Sequence, residues 1–234
     1  MVTFRKYRPS YKGLRLSGLL LLGVLSSAPV AAQETDGQQW TLLTFNARVG
    51  DRMRLYLEVQ PRLGYDYRSL DRLLLRPAFG YQVHRNVSIW LGYGWTPTFQ
   101  PEFRHEGRWF QQVLVENRFP TLDLVNRTRL EQRSIAGAGA RADRLRHLVR
   151  VAYPLTRDRR WAAVWYDEIF WNLNDTPRGP QAGFDQNRVY FGLAHSPSRH
   201  VRYEIGYLPT FLNPPRGGRD RRLDILFLGV NYNL

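Results

Sequence analysis

The 234-residue sequence has no cysteine, two methionines and two lysines, and both lysines fall within the first twelve positions. Without cysteine there is no disulfide framework, no thiolate nucleophile and no soft metal ligand. Without lysine, arginine is the cation of nearly the whole chain, and its planar fork favours multidentate pairing with carboxylates. Beyond the N-terminal segment no run approaches the roughly 18 consecutive apolar residues of a helical membrane span. A mean hydropathy of −0.45 would ordinarily describe a soluble protein. Barrels that cross a membrane with strands escape that rule, because only alternate residues meet lipid.

The N-terminal segment has the order of an export signal. Arg5, Lys6, Arg8, Lys12 and Arg15 precede an apolar run at 16–25, and Val30 and Ala32 stand at −3 and −1 of a cleavage site before Gln33. The expected organisation is a signal peptide at 1–32 and one domain at 33–234. Removing five cations and no acid lowers the formal charge from +14 to +9, still basic.

From Met53 onward the pattern has a period of two. Met53, Leu55, Leu57, Val59 and Leu63 alternate with Arg54, Tyr56, Glu58, Gln60 and Arg62, which means strand. The pattern continues through 72–83 and 87–96. It recurs at 107–118, 122–133, 143–155, 161–173, 185–195, 200–211 and 222–234, each about the length of a tilted membrane strand. Connections alternate between tight turns (84–86, 119–121, 196–199) and longer loops (65–70, 98–106, 134–142, 174–184), the outer-membrane arrangement. Tyr81, Trp95, Trp109, Tyr153, Trp171, Tyr207 and Tyr232 sit near the ends of apolar faces, where interfacial girdles belong. Gly80, Gly92, Gly94, Gly192, Gly206 and Gly229 fall on the polar face, where a narrow lumen needs gaps. The last strand alternates to Leu234, as a barrel-insertion signal does. The expected fold is therefore all-β: a single antiparallel up-and-down transmembrane β-barrel of 10 to 12 strands, inserted by the barrel-insertion machinery among outer-membrane lipid and lipopolysaccharide.

Segment 40–49 brings the count to eleven. Bacterial single-chain barrels have an even number, so ten or twelve is expected. Asp167 is a second misfit, since alternation puts it outward with Trp165 and Ile169; a β-bulge turning it inward beside Glu168 is the expected remedy.

If the polar face lines the lumen, its charge network comprises Arg54, Glu58, Arg76, Glu116, Arg127, Arg129, Glu131, Arg133, Arg144, Arg146, Arg150, Glu168, Arg188 and Glu204, together with Arg62, Arg72, Arg108, Arg118, Arg202 and Asp224. Such residues form a charge-paired filling, or, because arginine is in excess, a path that favours anions. The stretch NRTRLEQR (126–133) shows the separation of faces. Arg127, Arg129, Glu131 and Arg133 point one way, and Asn126, Thr128, Leu130 and Gln132 the other. This outward set is weakly apolar and is expected near the extracellular rim. Arginines spread along strands, in an exported chain, exclude a nucleic-acid patch.

Catalytic candidates are few. His105 with Glu102 and Glu106, in an expected extracellular loop, has the residue types of an acid/base group. His84, His195 and His200 adjoin turns, and His147 falls on the lipid face. Segment 134–140, SIAGAGA, lacks the lysine of a phosphate loop. No cofactor or metal is called for, and no oligomeric state is indicated.

Six segments, EGRWFQQ (106–112), RTRLEQR (127–133), RLRHLVR (144–150), DEIFWNL (167–173), DQNRVYFGL (185–193) and YEIGYL (203–208), resemble in order and spacing the family called domain of unknown function 2490. That resemblance implies an exported outer-membrane barrel and brings no substrate, cofactor or catalytic residue. The functional expectation is an outer-membrane barrel of a Gram-negative cell, structural or a narrow anion-favouring small-solute channel. The alternative is a barrel enzyme acting on lipid or peptide.

Overall fold

The computed structural model describes residues 34–64 and 67–234. The expected signal peptide at 1–32 lies outside the described residues. Twelve strands follow in order: β1 (Glu34–Val49), β2 (Met53–Gly64), β3 (Ser69–His84), β4 (Val87–Thr98), β5 (Arg104–Arg118), β6 (Asp123–Ile135), β7 (Ala142–Pro154), β8 (Trp161–Asn172), β9 (Gly183–His195), β10 (Val201–Tyr207), β11 (Thr210–Leu212) and β12 (Arg221–Asn233). Strands β10 and β11 are one stave interrupted at Leu208–Pro209, since both pair with β9 and with β12. A proline cannot donate to the ladder, which accounts for the break.

The staves form a single transmembrane barrel of eleven, antiparallel throughout except at one seam. There β1 pairs with β12 in parallel, with Trp40 opposite Phe227 and Leu43 opposite Val230. Segment 40–49 is therefore a full span. The even-number expectation fails because a parallel seam lets an odd count close: β1 and β12 both run from the long-loop end to the short-turn end.

Alternation assigns the two faces. Leu55, Leu57, Phe79, Ile89, Leu91, Ile205 and Leu226 are exposed on the outer wall, and burying them in lipid is what favours the inserted state. The girdle residues Tyr81, Trp95, Trp109, Tyr153, Trp171 and Tyr232 are exposed on the same wall. Inside, the lumen is divided. Trp40, Val164, Tyr190, Leu208, Ile225 and Phe227 pack as an apolar filling along β8 to β12 and β1, with Tyr166 stacked on Tyr190 at 4.8 Å. The glycines make room for such rings: a methyl group at Gly80 would lie 2.6 Å from the Trp90 ring.

Three residues depart from their expected places. Asp167 stays outward, its carboxylate accepting from Asn187 Nδ2 at 2.8 Å. The bulge lies instead on β9, where the β8–β9 register shifts between Phe170 and Trp171. It turns Asp185 inward, where the carboxylate accepts from Arg144 at 2.8 Å. Asp224 shares the parity of Leu226 and faces outward, accepting from Tyr207 and, at 3.0 Å, from Arg222 Nε.

Candidate functional site

The charged half of the lumen is built where β2, β3 and β5 to β10 place every second side chain inward. Near the long-loop end, Glu106 sits between Arg108 (2.6 Å) and Arg133 (2.5 Å). One level down, Glu131 takes Arg144 at 2.7 Å and Arg146 at 2.6 Å, with Arg129 at 3.8 Å. Arg146 also reaches Glu168 at 2.7 Å, where Arg127 is a second partner at 2.7 Å. Glu58 holds Arg76 at 2.7 Å and accepts from the Tyr56 hydroxyl at 2.7 Å. Toward the short-turn end, Glu204 takes Arg150 and, at 2.8 Å, Arg202.

Twelve of the fourteen expected network residues are brought together in this way or by ring stacking. Arg54 and Glu116 face the lumen without an ion pair among the described residues. Glu131 is 1% exposed and Arg129 3%, so water does not screen these charges and each depends on its partners. Rings supply the remaining support: Arg129 lies 4.2 Å from the Phe110 centroid, and Arg146 and Arg188 lie 4.3 and 4.6 Å from that of Phe170. Cation–π contact stabilises a guanidinium without neutralising it.

Sequence reasoning missed the side chains shared by the two lumen cavities. Trp40 is buried, with the Arg62 guanidinium 3.5 Å from its ring centroid and that of Arg188 at 4.9 Å. Arg62 donates to Gln60 at 2.6 and 3.0 Å, and Arg188 to Gln186 at 3.4 Å. Among the described residues neither forms an ion pair. These three side chains line both a cavity of about 390 Å³ on the short-turn side and one of about 320 Å³ on the long-loop side. The larger cavity presents seven arginines against four glutamates, so its field is positive. The signal available for Trp40 was its parity with Gln38, Leu42 and Thr44, in a segment whose status as a span was open.

The acid/base candidate does not assemble. Glu106 belongs to β5 and points inward to Arg108 and Arg133, whereas His105 is exposed near Phe103 and Glu102 lies 3.5 Å from Arg104. Nor does the outward face of NRTRLEQR lie at the rim. Thr128 is the sixth of thirteen residues of β6, which places it at mid-depth.

The sequence profile of the family described as "Protein of unknown function (DUF2490)" matches residues 37–221. An uncharacterised protein of Methylorubrum extorquens AM1 is 36% identical over 201 residues, covering 83% of this chain and 86% of the relative. Among solved structures, LpxR from Salmonella typhimurium is similar with a TM-score of 0.45 at 10% identity, covering 76% of this chain and 83% of that one.

Proposed function

From the premise that the chain belongs to the DUF2490 family, which brings no activity with it, we propose that it is an outer-membrane protein of a Gram-negative cell whose lumen is a narrow, anion-favouring path for small solutes, constricted by Trp40. The observation that carries this reading is the pair of guanidiniums of Arg62, buried, and Arg188, half-buried, which lie against the Trp40 ring without an ion-pair partner among the described residues and line both cavities. The arginines of the clusters elsewhere each have a carboxylate within reach, and those clusters hold the wall together. The two waist arginines supply the uncompensated positive charge that a passing anion meets, and a ring of arginine repels cations at the same point. The apolar outer wall, the aromatic belts and the unequal loops support the membrane location.

Chloride entry into liposomes loaded with a chloride-quenched dye tests the proposal. Reconstituted protein is expected to admit chloride, and Arg62→Gln with Arg188→Gln is expected to slow it. Liposomes as tight as protein-free controls, or entry unchanged by the double substitution, would overturn it.

A further inference from the structure

The lipid-facing wall is not uniformly apolar. At mid-depth β2, β3, β4 and β12 present Leu57, Val59, Leu75, Leu91 and Leu228. On five consecutive strands, β5 to β9, the outward residues at or beside the strand centres include Gln111, Thr128, His147, Asp167 and Asn187, among the apolar Leu130, Val149 and Val189. These residues pair across strands. Thr128 Oγ1 lies 3.0 Å from His147 Nδ1, Asn187 Nδ2 donates to Asp167 at 2.8 Å, and Gln111 and Gln132 exchange carboxamide bonds at 3.2 and 3.0 Å. Polar capacity is left over. With the Thr128 hydroxyl donating to Nδ1, His147 Nε2 keeps its proton, and among the described residues it has no acceptor and Asp167 Oδ2 has no donor.

Hydrocarbon offers nothing to such groups, and a carboxylate or imidazole facing the middle of a bilayer is costly unless protein covers it. The depth excludes a soluble partner. The band is also self-complementary. Two copies inserted the same way relate by a two-fold axis along the membrane normal, and an axis beside β7 sets β6 of one copy against β8 of the other at one level. The His147 Nε2 donor then faces the partner copy's carboxylate at the position of Asp167, twice over.

We infer that the protein forms a two-fold homodimer in the membrane through the outer face of β6, β7 and β8, with His147 nearest the axis and Asp167 accepting hydrogen bonds across the interface. This inference rests on the transmembrane fold and not on conduction through the lumen.

The absence of cysteine makes the test direct. Leu145→Cys and Val149→Cys place single thiols on the outer face of β7, above and below His147, and Leu57→Cys places one on β2, away from the band. Oxidation in native membranes is expected to give a disulfide-linked dimer from the β7 variants and monomer from Leu57→Cys. Replacing Thr128, His147 and Asp167 by Val, Leu and Leu in the Leu145→Cys chain is expected to abolish the link while the band still shifts on heating, as folded barrels do. Monomer from both β7 variants, equal linkage from β2, linkage to a protein of another mass, or a dimer that survives the triple substitution would overturn the inference. A failure of the membrane assignment is distinguishable, because the chain would then be missing from the membrane fraction.

Discussion

The guanidinium of Arg62 lies over Trp40, 3.5 Å from the ring centroid, at a level where both lumen cavities are lined by the same side chains. The contact has two consequences. It sets an aromatic ring between the two cavities, and it buries a cation whose charge is solvated by a π-face and by Gln60 instead of a carboxylate.

Arg146 joins two glutamates that come from different strands, Glu131 on β6 and Glu168 on β8. Glu131→Gln removes the only carboxylate that Arg146 and Arg144 share, leaving buried cations undercompensated. The expected loss is about 3–5 kcal/mol, against less than about 0.5 kcal/mol for Glu116→Gln, which breaks no ion pair. Urea unfolding of the lipid-reconstituted barrel, followed by tryptophan fluorescence, measures both. Equal midpoints for the two variants would show that the network does not hold the barrel.

Gly80 lies under the Trp90 ring, with no room for a methyl group. Gly80→Ala is expected to destabilise by about 1–3 kcal/mol through overpacking, and Trp90→Leu in the same chain to recover part of the loss. If the double variant is less stable than the sum of the two single changes, the ring is not what excludes the side chain.

Closure by a parallel seam predicts a specific neighbour. Leu43→Cys and Val230→Cys, opposite each other across β1 and β12, are expected to link with a short bifunctional thiol reagent. A barrel closed without β1 would instead bring β2 beside β12, so that linking of Val59→Cys with Val230→Cys, and none of the first pair, would contradict the topology.

Much of this architecture was legible in the sequence because the lipid imposes it residue by residue. A strand between lipid and a charged lumen must alternate, so spans, faces and belts appear locally, and Arg127 to Arg133 could be assigned inward from parity alone. Strand count is different. Whether β1 completes the barrel depends on pairing between residues almost the whole chain apart, such as Thr44 and Asn231, whose side chains meet at 2.7 Å. Bulges are likewise set by the neighbouring strand, which is why Asp185, and not Asp167, turned inward. Glu106 falls outside the alternating segment 107–118, so parity alone does not place it, and Trp40 lies in a segment whose status as a span local pattern leaves open. The polar outward face of NRTRLEQR was read as rim on the premise that all mid-depth positions meet lipid.

Trp40→Ala removes the ring that stands between the two cavities and leaves Arg62 and Arg188 in place. The measurement that tests the central claim most directly is the reversal potential of this variant in a planar bilayer under a potassium chloride gradient. The account predicts a larger conductance than wild type and a reversal potential displaced toward that of chloride. A silent bilayer, or a displacement toward potassium, would contradict it.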